Sequence, residues 1–347
     1  MNIKLLTFHK ANNYGALLQC YALSAILRDW GHNIEIINIT HELNSKRLLD
    51  HIKSTLDLQQ MGKFRRNHLP IQTPKYNNFD ELKENPPIAE CYIVGSDQVW
   101  NPQITRELFG VYFFNFLPKE VKKIAYAASF GIREWNYPEL QTKISDLLSR
   151  FTAIGIREND GIELCQSIFG ITATKTLDPT LLMDNYDNIL SKEKCILKNT
   201  LVTYFFEKGD DHFLKLRSFS KRIGLKPISL NDQRYHPGIR SIPFASVKQW
   251  LSYIKNSDLV LTNSFHCMVF AIIFKRPFIV IPSDISRMSR IMNLLEDLDL
   301  KERYFESFED LFSSSKWLNS IDYAKVFQIL EIHKLKSIKF LHDSISM

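Results

Sequence analysis

Ile3-Lys4-Leu5-Leu6-Thr7-Phe8 is a short apolar run, Gly15 to Trp30 carries apolar residues at helical spacing, Gly31 stops it, and Asn33 to Ile39 is a second apolar run. Strand, helix and strand in this order make a βαβ unit, the building block of a parallel sheet covered by helices. A glycine directly behind a helical stretch is the usual C-terminal stop. Working outward, the same alternation continues. Further strands are predicted at Cys91 to Gly95, Lys123 to Ser129, Ala153 to Arg157 and Thr174 to Asp178.

After Asp178-Pro179-Thr180 a polar stretch to about Lys198 reads as a connection. A second series of strands follows it, at Leu201 to Phe206, Pro227 to Leu230, Asp258 to Thr262 and Pro277 to Ile281, and Tyr323 to Ile345 closes the chain as a long amphipathic helix. The pattern predicts an α/β protein of two Rossmann-like lobes facing across a cleft, residues 1–185 and 186–347, the closing helix belonging to the second. In such folds ligands bind outside the carboxyl ends of the strands.

Length agrees: 347 residues exceed what one core usually supports. With 45% hydrophobic and 24% charged residues the chain is ordinary globular material. No run reaches the roughly 18 to 20 apolar residues of a membrane span, and Met1 to Phe8 reads as a strand rather than a leader, so a cytoplasmic protein is expected. Cys20, Cys91, Cys165, Cys195 and Cys267 form no CxxC pair, the usage of a reducing compartment, and no Cys/His cluster has metal-ligand spacing. The formal charge of +6 favours anionic partners without choosing among them. Residues 46–68 mix Lys46, Arg47, Lys53, Lys63, Arg65 and Arg66 with apolar positions. A solvated helical excursion is favoured there over peripheral contact with an anionic membrane.

Four polar turns follow predicted strands. Asn12-Asn13-Tyr14-Gly15 opens the first helix, where Asn12 or Asn13 caps it or meets a ligand and Gly15 admits close approach. Neither GxGxxG nor GxxxxGK[ST] occurs. Gly95-Ser96-Asp97-Gln98-Val99-Trp100-Asn101 offers a hydroxyl, a carboxylate, amides and an indole, a set suited to a sugar, or else an Asp cap beside a core tryptophan. Arg157 ends a strand as an anion-binding fork or as the partner of Glu158 or Asp160. Thr262-Asn263-Ser264-Phe265-His266-Cys267 places His266 at a helix start, where it moves a proton or is a satisfied structural residue, while Cys267 reads as a buried, inert thiol.

Together NYGALLQ, VGSDQVWNP, KKIAYAASFG, the IRE arginine, LDPTLL and TNSFH, between Ile3 and Arg303, resemble the polysaccharide pyruvyl transferase family in order and spacing. The resemblance implies a two-lobed GT-B-like enzyme that moves the enolpyruvyl group of phosphoenolpyruvate onto a sugar or lipid-linked acceptor as a cyclic ketal. It implies no cofactor beyond the co-substrate, no metal and no nucleic acid. By position it implies Arg157 and His266 on the donor, with Arg290, which fits better, or Arg287 as a further basic contact. The residues themselves add Ser264 and Asn263 to the donor side and place Asn13, Tyr14, Gly15, Ser96, Asp97, Gln98 and Trp100 on the acceptor side. His266, Arg157 and Asp97 would be catalytic. Cys267 stands where a glycine commonly follows the histidine, and the first motif lacks an acidic residue some branches carry. Competing readings are a nucleotide-sugar glycosyltransferase on the same fold and a non-catalytic partner of polysaccharide assembly.

Overall fold

The computed structural model describes residues 1–39, 60–190, 197–206, 211–282 and 288–347. The chain divides into two compact units. One takes Met1 to Met183, apart from a short segment ending at Phe64, together with Glu331–Met347; the other takes that segment and Asp184–Leu330. The closing helix Tyr323–Ser346 therefore begins in the second unit and ends in the first, rather than belonging wholly to the second. Its later part is tied to the first unit by Leu177 N–H donating to Ser337 Oγ (2.9 Å) and Lys122 Nζ donating to Ile345 O (2.9 Å).

The first unit holds a six-stranded parallel sheet of β1 (Asn2–Leu6), β2 (Asn33–Ile36), β3 (Cys91–Val94), β4 (Lys123–Ala128), β5 (Ala153–Ile156) and β6 (Thr174–Lys175), ordered β2-β1-β3-β4-β5-β6. Its middle strands β3 and β4 are buried throughout, which is why they read as unbroken apolar runs rather than alternating ones. The helix Tyr14–Asp29 is buried over most of its surface. Leu6, Val94, Trp100, Phe113, Phe130 and Ile156 belong to the core of this unit.

The second unit holds five parallel strands, β7 (Thr200–Tyr204), β8 (Lys226–Leu230), β9 (Arg240–Ile242), β10 (Leu259–Thr262) and β11 (Phe278–Val280), ordered β11-β10-β7-β8-β9. Its core gathers Leu201, Leu216, Phe219, Leu261, Ile279 and Leu311. In both sheets the order reverses beside the first strand, between β1 and β3 in one and between β7 and β10 in the other. Those are the topological switch points where open α/β sheets leave a crevice.

Three strands differ from expectation. β6 ends at Lys175, before Asp178, because Leu177 O accepts from Tyr126 Oη (3.1 Å) and Leu177 N–H goes to Ser337, so side chains replace the ladder. β2 ends at Ile36 because the next residues bond across to residues 71–76, with Thr73 N donating to Ile36 O (2.9 Å) and Tyr76 N donating to Asn38 O (2.9 Å). β9 is a three-residue edge strand with a partly polar surface, too short to leave a period-two signal. Of the basic segment at 46–68, Lys46, Arg47 and Lys53 lie outside the described residues. Residues 60–68 are helical, with Met61 and Phe64 buried.

Candidate active site

The expected residues fall into two groups, one in each unit. In the first unit they occupy the turns after β1, β3 and β5, two of which flank the switch point. Arg157, directly after β5, is 6% exposed, and that burial decides its part. Its Nη1 donates to Asp178 Oδ2 (2.7 Å) and to Ser96 Oγ (3.2 Å), while Ser96 Oγ donates to the same Asp178 oxygen (2.8 Å). Asp97 Oδ1 stands 3.9 Å from Nη2, and Glu158 Oε2 stands 4.0 Å from Nε. A buried guanidinium thus meets three carboxylates. The ion pair with Glu158 that the local sequence suggested is present at 4.0 Å, and Asp178, from a separate crossover, adds a direct hydrogen bond.

Each carboxylate is held in turn. Asp178 Oδ1 accepts from Thr180 N (3.0 Å) and Thr180 Oγ1 (2.6 Å), so Asp-Pro-Thr forms a cap whose second oxygen is delivered to Arg157. Glu158 Oε1 accepts from the backbone of Phe130 (3.1 Å) and Gly131 (3.4 Å). Asp97 Oδ1 accepts from Gln98 N (2.8 Å), and Asp97 O accepts from Val99 N (2.8 Å) and Ser129 N (3.1 Å). Asp97 adopts φ 99 and Ala127 φ 50, positions side chains rarely take, beside a register shift between Ala125 and Ala128 in the β4–β5 pairing. The turn is therefore built against local preference and fixed by its charges.

Gln98 Oε1 accepts from Asn101 Nδ2 (2.8 Å), and a Cβ at Gly131 would stand 2.0 Å from that oxygen, so Gly131 is needed for this contact as well as for its φ of 65. Trp100 corrects the expectation of a sugar platform. It is 0% exposed, stacked on Phe113 at 5.0 Å, with its indole N–H donated to Tyr112 O (2.9 Å), and so has no open face. Asn13 caps the first helix, accepting from Ala16 N (3.2 Å), and Tyr14 and Gly15 are buried behind it. Gln19, unmarked by sequence reasoning, ties this helix to the strand ends: its Nε2 donates to Thr7 Oγ1 (2.9 Å), and Thr7 donates to Ser96 O (2.8 Å). Asp178 and Tyr112 were missed too. Burial, reinforced by the Asp97 charge, pushes the Tyr112 phenol above its ordinary range, so it stays a neutral hydroxyl.

In the second unit the group follows β10. Ser264 caps the helix Phe265–Ile273, accepting from Cys267 N (3.4 Å), and its own N–H goes to Thr262 Oγ1 (3.0 Å). Thr262 Oγ1 donates to Tyr204 O and Asn263 Oδ1 accepts from Phe206 N (3.0 Å), joining the ends of β10 and β7 across the switch point. His266 is 7% exposed in the first turn of this helix, where backbone N–H groups favour an anion. Arg290, in the first turn of the helix Ser289–Asp297, brings its guanidinium 5.8 Å from the Phe265 ring centre, and that ring stands edge-on to the His266 ring at 5.1 Å. Arg287 lies outside the described residues. Cys267 is fully buried and its thiol is pushed up to about 12 by burial, leaving no thiolate at neutral pH.

Among the described residues no group of three or more His, Cys, Asp or Glu is placed to hold a metal ion. Nor is any helix among them long and apolar enough to cross a membrane. Solved structures share the architecture. A putative UDP-N-acetylglucosamine 2-epimerase from Listeria monocytogenes aligns at TM-score 0.54 and 12% identity, over 95% of this chain and 90% of that one. The UDP-GlcNAc 2-epimerase from Neisseria meningitidis aligns at 0.54 and 11%, over 97% and 99%. A glycosyltransferase from Rickettsia africae aligns at 0.51 and 12%, over 99% and 97%. At such identities the likeness shows the fold alone, an α/β chain of two Rossmann-like lobes of the GT-B type. No curated protein matches the chain. The family model described as polysaccharide pyruvyl transferase matches residues 13–285, which takes in the turns after β3, β5 and β10, and by that match the chain belongs to the polysaccharide pyruvyl transferase family.

Proposed function

We infer that the protein transfers the enolpyruvyl group of phosphoenolpyruvate to two hydroxyls of one sugar in a cell-surface polysaccharide precursor, forming a cyclic ketal and releasing phosphate. The observation that carries this reading is the placement, within a family of that name, of both candidate groups at the switch points of their sheets. The reaction begins with a proton delivered to the methylene carbon, leaving an oxocarbenium-like centre at the next carbon. One sugar hydroxyl adds there and gives up its proton. The carbon–oxygen bond to phosphate then breaks, phosphate leaving with the electron pair, and the second hydroxyl closes the ring with loss of its own proton.

His266 is the proton donor in this scheme, and Arg290 with the start of the Phe265–Ile273 helix holds anionic groups of the donor. Asp97, fixed in direction by its backbone, accepts a hydroxyl proton, while Ser96, Gln98 and Asn13 are its neighbours on the acceptor side. Arg157 takes a positioning part here: with Nη1 bound to Asp178 and Ser96, it fixes the turn that carries Asp97. The acceptor enters as a sugar or a lipid-linked oligosaccharide, and the enzyme works in the cytoplasm, without a metal or a cofactor other than the co-substrate.

The test is incubation with phosphoenolpyruvate and a panel of galactosyl, mannosyl, glucosyl and N-acetylhexosaminyl acceptors, following phosphate release and product mass. Acceptor-dependent phosphate with a product bearing a pyruvate ketal, lost in His266→Ala, is the expected result. Silence across the panel, with sugar transfer from a nucleotide sugar instead, replaces this reading with glycosyl transfer.

A further inference from the structure

The turn after β3 carries a side-chain amide, that of Gln98, whose orientation follows from the bonds around it. Gln103 N–H can only donate, and it donates to Asn101 Oδ1 (3.0 Å). Asn101 therefore turns its Nδ2, which also only donates, toward Gln98, and the atom that meets it at 2.8 Å is Gln98 Oε1. A main-chain donor thus fixes both amides, and neither can be exchanged end for end. What remains is Gln98 Nε2, on a partly exposed side chain and with no hydrogen-bond partner among the described residues.

The amide is also held in place. Gly131 passes so close that a Cβ there would stand 2.6 Å from Gln98 Cδ and 2.9 Å from Cγ. The N–H groups of Phe130 and Gly131 both go to Glu158 Oε1, so this floor under the amide is anchored to the strand end that carries Arg157. A donor held this way binds without first losing rotamer freedom of its own. Beside it lies Asp97, whose Oδ1 accepts from Gln98 N. On adjacent residues the turn therefore presents a carboxylate that accepts and an amide that only donates.

We infer that Gln98 is a specificity-determining residue: its Nε2 donates to a neutral carbonyl oxygen of the acceptor, the acetamido oxygen of an N-acetylhexosaminyl sugar. The inference rests on the pyruvyl-transfer reading for the hydroxyl pair and on the amide for the group beside that pair. A donor-only group is matched best by an oxygen that carries no proton, because a hydroxyl in its place must still find an acceptor for its own hydrogen. Among sugar substituents, the other such oxygens belong to carboxylates and phosphate esters, which are anions. At this turn Arg157 faces three carboxylates, Asp97, Asp178 and Glu158, and the next cation along the loop, Arg133, is paired with Asp160 (3.5 Å). The field there is negative and disfavours an anionic substituent. The acetamido carbonyl is the uncharged choice.

The test follows binding to full-length protein by NMR titration, without phosphoenolpyruvate, of the methyl glycosides of N-acetylglucosamine, N-acetylmannosamine and N-acetylgalactosamine and of glucose, mannose and galactose. Ketal formation on the same set is then measured with phosphoenolpyruvate. At least one N-acetylated sugar is expected to bind about tenfold more tightly than its parent hexose, the worth of one well-placed hydrogen bond. Gln98→Glu puts an acceptor where the donor was, at the same size, and is expected to abolish that preference. Asn101→Asp is the sharper variant: it keeps an oxygen for Gln103 N–H but offers Gln98 an acceptor, so the Gln98 amide turns over and the preference disappears with Gln98 itself intact. Both variants are expected to keep the parent circular dichroism spectrum. Parent hexoses that all bind as tightly as their N-acetylated forms, no binding of any glycoside, or a preference that survives in either variant would overturn the inference. A preference in binding without ketal on any sugar would instead overturn pyruvyl transfer and leave the part of Gln98 standing.

Discussion

The turn after β3 and the turn after β10 occupy the same place in their sheets, one strand across from the switch point, and are built in opposite ways. The first is a buried charge network: Arg157 among Asp178, Asp97 and Glu158, with two backbone positions, Asp97 and Ala127, in the left-handed region. The second is held by a run of hydroxyl and amide bonds through Thr262, Asn263 and Ser264 that sets a histidine on a helix start. Removing one member of a buried ion pair leaves a charge that neither water nor protein stabilises, whereas removing one neutral bond costs about 1–3 kcal/mol. Damage to the first turn is therefore read in folding, and damage to the second in chemistry.

The largest effect is expected at Asp178. Asp178→Ala removes the carboxylate that accepts the shortest hydrogen bond from Arg157 and is expected to lower unfolding free energy by about 3 kcal/mol, measured as a shift in the denaturant midpoint. An unchanged midpoint would mean that the network is not what holds the turn. On the other side, under the proposed pyruvyl transfer, His266→Ala is expected to reduce ketal formation by about 10²–10⁴-fold while the midpoint stays within about 1 kcal/mol of the parent. A rate loss accompanied by a matching loss of stability would make His266 a structural residue and erase the contrast.

How far the contrast was legible in the sequence depends on what each turn is made of. Strand and helix order follow from apolar runs and glycine stops, and all but the three-residue β9 were visible. The TNSFH turn was legible because its work is local: Ser264 caps a helix that begins one residue later. The first turn was not, because Ser96, Arg157 and Asp178 follow β3, β5 and β6 and meet only after β3, β4, β5 and β6 have paired. Trp100 was misread for a related reason. Its fate is set by Phe113 and Phe130, and spacing alone could not show that they enclose it.

The first unit's switch point holds one more buried group, in the turn after β1, and it sharpens the comparison through pH. His9 is buried, its Nδ1 3.1 Å from Thr7 O, and burial, aided by Lys10 and Arg65, pushes it down to about 4. The unfolded chain binds a proton at this histidine below its ordinary value of 6.5, the folded chain only near 4, so stability falls as pH drops through that window. The loss amounts to roughly 3 kcal/mol at full extent. Chemical unfolding from pH 7 to 4 should show this slope, and His9→Gln should flatten it. At Asp97 the expected difference is smaller: Asp97→Gly is about 1 kcal/mol more stable than Asp97→Ala, because φ 99 suits glycine alone, although both lose the carboxylate and its activity.

The finest distinction concerns the two helix caps, Asn13 behind β1 and Ser264 behind β10, each accepting from the backbone three residues on. Either residue changed to alanine is expected to cost about 1 kcal/mol, the usual worth of a cap. Asn13→Ser and Ser264→Asn keep a capping oxygen and hold stability within a few tenths of a kcal/mol, so any change in activity reports the side chain's other work. At Asn13 the exchange removes an amide that could meet the acceptor. A raised KM for acceptor at unchanged kcat, with the midpoint preserved, would give Asn13 both parts. At Ser264 the exchange shifts the start of the helix under His266, so kcat is expected to fall while acceptor KM stays put. If both exchanges proved silent in activity, the caps would serve the helices alone, and the functional contrast between the turns would rest on His266 and the Arg157 network.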